Sequence, residues 1–400
     1  MSITFTELKE RVREIMYIED DGIIEITIAS IIANSIAKTS PVWLTLIGNS
    51  SAGKSQFIRP IADANPELIH KLDTPTPNAF LSGAHGGSSF LMDSVKSKGI
   101  ILFSDLTVLF SMSNEARGEV LSIMRMIYDG EYTKKTGTKV LEWKGYAGVL
   151  SASTPSIYSY LAEVADMGER FIYYRMKPVD QLKLQQFVVN SSLSQNEMDS
   201  KLTEIYQDYI GGVMESIGDE IELSNKVKDR LYTISYFGAK LRSPVHTDYQ
   251  GNVDRIPQME SPVRVYKQLE TVANAMMLMS KHEGNDDLSE EQIQSLEWCA
   301  YSLGNEERRT ILKSVVEQDG MKVTVRDVSA YIGLDSEVVK RYLTELTSIG
   351  VLVLHSRDES SDNSLRWSFT NSDDVAIIKR LDTFTEAREE VIDEVEDEPF

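Results

Sequence analysis

Residues 48–55 read Gly48-Asn49-Ser50-Ser51-Ala52-Gly53-Lys54-Ser55, an unbroken G-x-x-x-x-G-K-S run. It lies between an apolar β-type segment, Val42 to Ile47, and a helical one, Gln56 to Ala64. In that setting glycine lets backbone N–H groups turn inward around phosphates. Lys54 is then placed for the β- and γ-phosphates and Ser55 for Mg²⁺, and the helix N-terminus adds a favourable field. The chemistry implied is that of a nucleoside triphosphate, ATP with Mg²⁺. Such a site also needs a carboxylate at a neighbouring strand end to hold the metal. Asp105, following the apolar run Gly99 to Phe103, supplies one; its other reading is a loop acid capping the next helix. Leu106 stands where a glutamate usually follows, so the carboxylate that polarises the attacking water is left open, with Glu115 the nearest acid downstream.

These residues need a sheet to carry them. Short β-rich runs at Val42 to Ile47, Gly99 to Phe103, Gly148 to Ala152 and Phe171 to Met176 alternate with helical or loop segments. That alternation predicts an α/β sheet covered on both faces. Residues 4–38 read as helical, Pro178 to Leu303 as almost wholly helical apart from a polar stretch from Ser243 to Pro262. Asn305 to Asp382 reads as a helix, a helix-turn-helix around a Gly turn, and two strands, the pattern of a winged helix. The last fifteen residues hold eight acids against one Arg and are expected to be a disordered tail. The expected division is therefore 1–40, an N-terminal helical segment; 41–180, an α/β P-loop core; 181–304, a helical lid; 305–385, the winged helix; and 386–400, the tail.

Composition limits the partners. With 400 residues the chain is long enough for two or three domains. Forty-one Lys and Arg against 62 Asp and Glu give a net charge of −21, so the average surface repels nucleic acid and anionic membranes, and any nucleic-acid contact must be local. A single cysteine, Cys299, excludes internal disulfides and a four-thiolate zinc site. No apolar run of ~20 residues and no signal-peptide pattern at the start lead to the expectation of a soluble cytoplasmic protein without membrane partners.

With these residues in place, Pro41 to Ser280 resembles the AAA+ ATPases, and within them the branch of the minichromosome maintenance helicases and the helicase-like ATPases of phages and mobile elements. The resemblance implies a P-loop core with a helical lid and a homo-oligomeric ring, a hexamer. It implies ATP hydrolysis between subunits, with single-stranded DNA moving through a central channel during replication, in a bacterial host cytoplasm if phage-encoded. Thr154, in GVLSASTP, would be the polar sensor after the third core strand, where relatives often carry Asn; the plain alternative is a strand-ending turn. Met167-Gly-Glu-Arg-Phe171 looks like the family's Ser-Arg-Phe element, making Arg170 the finger that reaches a neighbour's γ-phosphate, with Arg175 a second candidate and an ion pair to Glu169 or Glu163 the ordinary reading. Glu260-Ser-Pro-Val-Arg264 resembles the lid's nucleotide-sensing helix start, with Pro262 in the first turn and Arg242 as the alternative.

Between Asp105 and Thr154, Gly130 and Gly137 flank a basic stretch that reads as a β-hairpin. In the named branch such a hairpin points into the channel, so Lys134, Lys135 and Lys139 are expected to contact DNA phosphates; solvated tip lysines are the alternative. The Gly-rich loop Leu81 to Phe90, with His85, could be a second pore element. The winged helix carries Lys340 and Arg341 offset by Asp335, Glu337 and Glu345, which suits protein contact at least as well as DNA. The tail's terminal Pro399-Phe400 resembles the tip of bacterial single-stranded DNA-binding proteins and could recruit replication partners. The rival reading is a non-translocating switch: a helicase loader, a replication initiator or a transcription activator.

Overall fold

The computed structural model describes residues 3–36, 40–49, 52–82, 89–136, 139–160, 170–216, 221–248, 252–318, 322–355 and 364–381. The chain divides into two compact units, Met1–Lys228 with Lys267–Ser295, and Asp229–Tyr266 with Leu296–Phe400.

In the first unit, α1 (Phe5–Ile15) starts from a capping box: the Thr4 hydroxyl accepts from the Glu7 N–H while the Glu7 carboxylate accepts from the Thr4 N–H. Leu8, Val12 and Ile15 form its buried stripe. The next helix, α2 (Asp21–Ile36), is buried continuously from Gly22 to Asn34. A helix apolar on all sides has no face to give to water and must lie in the core. At its end the Asn34 carboxamide brackets Val42, accepting from its N–H at 2.9 Å and donating to its carbonyl at 3.0 Å. The side chain thus stands in for a strand partner just before β1 (Trp43–Ile47).

The order continues through α3 (Lys54–Asp63), β2 (Ile69–Lys71), the single turn α4 (Pro77–Phe80), a π-helical turn at Phe90–Val95, β3 (Lys98–Phe103), the short α5 (Thr107–Phe110) and α6 (Asn114–Tyr128). Then come β4 (Glu131–Thr136), β5 (Lys139–Lys144), β6 (Tyr146–Ser153), a 3₁₀ turn at Pro155–Tyr160 and β7 (Phe171–Arg175). Five strands make one parallel sheet in the order β2-β3-β6-β1-β7. The four principal strands are nearly unbroken apolar runs, as strands covered on both faces require. Ile47 lies in register with Ser153 on one side and Arg175 on the other, so β1, β6 and β7 end together. The Thr45 and Ser151 hydroxyls satisfy each other inside the sheet at 2.8 Å.

Outside that sheet, β4 and β5 pair as an antiparallel hairpin with Glu131 opposite Lys144 and Thr136 opposite Lys139. Gly130, at φ +88°, and Gly145 form its base; a Cβ at 145 would press on the carbonyl oxygens of Lys96 and Ser97. Helices Gln181–Asn190 and Gln195–Glu215 follow β7, the second packing on α1 and α3.

The second unit packs helices Glu306–Glu317, Val325–Ile332 and Ser336–Ser348 with the antiparallel pair β8 (Leu352–His355) and β9 (Arg366–Phe369). Ile311, Leu312, Val328, Leu343 and Trp367 belong to its core. Gly333, at φ +71°, ends the middle helix in the left-handed conformation that glycine adopts without strain. Buried carboxylates in it meet cations at two places: Glu297 lies between Arg230 (3.0 Å) and Arg380 (2.6 Å), and Lys240 meets Asp374 at 3.2 Å. The helices of residues 181–304 are shared between the two units. The Gly-rich stretch 83–88, with His85, and the tail 386–400 lie outside the described residues. No described helix is long and apolar enough to cross a membrane.

Candidate functional site

The described residues of the G-x-x-x-x-G-K-S run lie between β1 and α3. β1 ends at Ile47, Gly48 donates its N–H to the Ser153 carbonyl at 3.1 Å, and Gly53, at φ +72°, is the residue from which α3 starts. A left-handed residue at that point costs other amino acids about 1 kcal/mol or more, which accounts for the second glycine. The first answers to space: a Cβ on Gly48 would stand 3.1 Å from Met176 Sδ and 3.3 Å from Ala52 Cβ. Ser50 and Ser51 lie outside the described residues.

Lys54 is 9% exposed, and its ammonium donates to the carbonyl oxygens of Gly48 (2.5 Å) and Asn49 (2.6 Å), curling over the loop that precedes it. Burial pushes its pKa below the ordinary lysine value while the negative charge of Asp105 pulls the other way. Ser55 is exposed in the first turn of α3. Asp105 is exposed just beyond β3 and accepts from the N–H (2.9 Å) and hydroxyl (2.6 Å) of Thr107, a local turn one residue ahead of Leu106, the N-cap of α5. That turn uses one carboxylate oxygen, Oδ1. Thr154, directly after β6, shares a hydrogen bond with the Ser156 hydroxyl at 2.7 Å. Because β6 lies between β1 and β3, Thr154 emerges between the Lys54 loop and Asp105. Glu115 is exposed in the first turn of α6.

Beside the loop is a cavity of about 220 Å³ whose walls include Met16, Tyr17, Gly48, Met176, Phe187 and Val188. The Tyr17 and Phe187 rings meet at 5.9 Å, and the Tyr17 hydroxyl donates to Glu19; burial, together with the negative charge of Glu19, raises the phenol's pKa. Asp20 fastens this wall to the end of β7: it accepts from the Tyr174 hydroxyl at 2.8 Å and faces the Lys177 ammonium at 3.9 Å. Arg175, at the last position of β7, also lines the cavity. None of the wall residues near 17 or 187 stands out in the sequence, because two distant segments with no motif of their own converge there.

The remaining candidates fall elsewhere. Arg170 precedes β7 and so lies at the end of the sheet opposite the turn that follows β1. Its guanidinium contacts both Asp129 oxygens at 3.2 Å, stacks 5.0 Å from the Tyr128 ring centre, and is 10% exposed. Asp129 caps the C-terminus of α6, where a carboxylate opposes the helix dipole, so a cation there is stabilising. Sequence proximity alone suggests Glu169 or Glu163 as the partner, and both lie outside the described residues. The Arg170 carbonyl in turn accepts from the buried Gln268 carboxamide. Arg242 and Arg264 belong to the second unit, and Glu260 pairs with both, at 2.7 Å and 3.0 Å. Pro262 is the first residue of its helix, as expected.

On the hairpin, Lys135 is exposed, whereas the Lys134 ammonium is occupied by protein acceptors. Lys139 opens β5 opposite Thr136; its side chain lies outside the described residues. Among the described residues no group of three or more His, Cys, Asp or Glu side chains could hold a metal on its own.

No family model matches the sequence, and no curated protein matches it either.

Proposed function

We propose that the chain is a P-loop ATPase of the AAA+ type that binds Mg·ATP on the Gly48–Ser55 loop and hydrolyses it. The observation that carries this reading is topological: the loop follows the central strand β1, and Asp105 follows β3, with β6 and its terminal Thr154 interposed. A phosphate chain on the loop has Lys54 and the N-terminus of α3 as its positive partners. The apolar cavity beside Gly48 suits a planar base, with Tyr17 and Phe187 as ring partners. The Ser55 hydroxyl and Asp105 carboxylate are hard oxygen donors of the type Mg²⁺ prefers, and two donors fit a metal that arrives with its phosphates. Mg²⁺ there would neutralise charge on the phosphate oxygens. Thr154 can donate one hydrogen bond to the terminal phosphate.

Beyond hydrolysis, the resemblance suggests a ring, a hexamer, in which Arg170 serves a neighbour's nucleotide and the hairpin drives single-stranded DNA along the channel. In that reading the second unit ends in a winged helix. A switch that cycles with nucleotide without translocating is the second reading, and the hairpin favours it. On its exposed face Lys144 is paired with Glu131, which leaves Lys135 as the one further described cation there, beside Glu142, a single charge per copy and little for a strand of phosphates.

Titration of a fluorescent ATP analogue into wild type and Lys54→Ala tests the nucleotide reading, which fails if wild type does not bind. Strand displacement on a forked duplex then separates the two mechanisms: DNA-stimulated hydrolysis with unwinding identifies the motor, and hydrolysis without unwinding the switch.

A further inference from the structure

The hairpin alternates cleanly. Tyr132 and Trp143, directly opposite each other, are buried on one face; Lys134 and Leu141, the next pair on that face, are half-buried. Thr133 with Glu142, and Lys135 with Val140, make up the exposed face. With a side-chain period of two, neighbouring lysines must point to opposite sides. Lys134 is therefore directed to the body of the unit and Lys135 away from it.

On the inner side the Lys134 ammonium meets three acceptors from one short segment: the Pro77 carbonyl at 3.0 Å, the Asn78 side-chain oxygen at 2.7 Å and the Leu81 carbonyl at 3.0 Å. An ammonium has three N–H donors, so all three are committed. The acceptors belong to α4 and the residue that caps it, where a one-turn helix leaves carbonyl groups without partners of its own. A cation is favourable at a helix C-terminus as well. Phe80 and Leu81 are fully buried beneath this contact, and Trp143 fixes the base of the hairpin by donating its indole N–H to the Lys96 carbonyl at 2.6 Å. Among the described residues nothing pairs with Lys135.

We infer that Lys134 is a positioning residue, a clasp that makes the hairpin and residues 77–81 a single mechanical element and sets where Lys135 is presented, and that Lys135 is the phosphate-facing cation of the pair. The assignment divides two adjacent lysines, identical in type, into one structural and one ligand-facing role. The clasp stands on its own geometry; the role of Lys135 rests on the nucleic-acid part of the proposed function.

Two measurements test it on the full-length protein. In hydrogen–deuterium exchange without nucleotide or DNA, Lys134→Ala and Asn78→Ala should each speed exchange of the peptide covering residues 77–82, by about tenfold for the lysine change. The double variant should add little to Lys134→Ala, because both remove members of one contact. Unchanged exchange in Lys134→Ala overturns the clasp. In the second, the affinity for a fluorescent oligothymidylate is followed against salt. Removing one cation from a strand phosphate reduces the slope of log K on log salt by about 0.7. Lys135→Ala should reduce it by that amount per engaged copy, and adding Lys134→Ala to Lys135→Ala should reduce it no further, because Lys134 acts on the strand only through the placement of Lys135. A further drop in the double variant overturns the assignment. If wild type binds no oligonucleotide, the nucleic-acid reading and the role of Lys135 fall together, and the exchange result alone decides the clasp.

Discussion

The backbone N–H of Leu106 donates to the carbonyl oxygen of Ala152 at 2.7 Å, fastening the residue after Asp105 to the end of β6. The position of Asp105 is thus set by main chain, and its side chain can be changed without releasing the loop. Asp105→Asn should leave the melting temperature within about 2 °C of wild type, since the carboxamide oxygen can still accept from Thr107. Mg²⁺-dependent ATP hydrolysis should fall by roughly 10²-fold, the scale of losing one charged group aimed at the reacting phosphates. Thermal denaturation and steady-state phosphate release check the two halves.

Glycine substitutions separate strain from crowding. Gly53→Ala meets no close neighbour, its nearest being Met16 Cε at 3.6 Å, so its cost is the left-handed backbone alone, about 1 kcal/mol. A Cβ on Gly148 would instead land on the Asn34 carboxamide that brackets Val42. Gly148→Ala should therefore cost more, roughly 2 to 4 kcal/mol, through overpacking and loss of those hydrogen bonds. Urea denaturation of both variants orders them; equal losses would contradict the packing around Asn34.

Stability should fall as the solution becomes more alkaline through neutrality. Glu25 is buried in α2 with the Ser295 hydroxyl donating to it at 2.7 Å, and burial pushes its carboxyl pKa up to about 7 from an ordinary 4.5. A group whose pKa is raised by folding stabilises the protein fully below its unfolded value and loses that contribution as pH rises through the folded value. The affected window runs from about 4.5 to about 7. Glu25→Gln should flatten the pH dependence there and raise stability at pH 8 by about 2 to 3 kcal/mol. Denaturant titrations at pH 5 and pH 8 measure it.

Arg170 offers a test of assembly. If it serves a neighbour's nucleotide, Arg170→Ala and Lys54→Ala should each abolish most hydrolysis alone, while mixing the two proteins restores a fraction of it at seams that combine an intact loop with an intact arginine. If its work is confined to the Asp129 pair, Arg170→Ala lowers the melting temperature by a few degrees and mixing restores nothing.

The sheet was legible wherever a strand is long and apolar: β1, β3, β6 and β7 fall within one or two residues of the runs that announced them. The three-residue β2, Ile-His-Lys, was not, because an edge strand so short and polar carries no periodic signal. The Gly turn between two helices was legible too: Gly333 ends the first of them in the left-handed conformation. For the site, the loop and Asp105 were readable because their spacing is local. The cavity wall was not, since Tyr17 and Phe187 meet only through the tertiary fold. Nor was the commitment of Lys134: composition registers a basic tip, and only the strand's alternation decides which lysine faces inward.

The hairpin and Thr154 are the two ends of one rod. Gly145 joins β5 to β6, and the eight residues of β6 run from there without interruption to Ser153, held by β3 on one side and β1 on the other. At about 3.3 Å per residue this is an inextensible member roughly 26 Å long. Bonded on both sides, its end beside Gly48 and its end at the hairpin's root belong to one stiff strand, so neither can be displaced without the sheet or the other end moving with it.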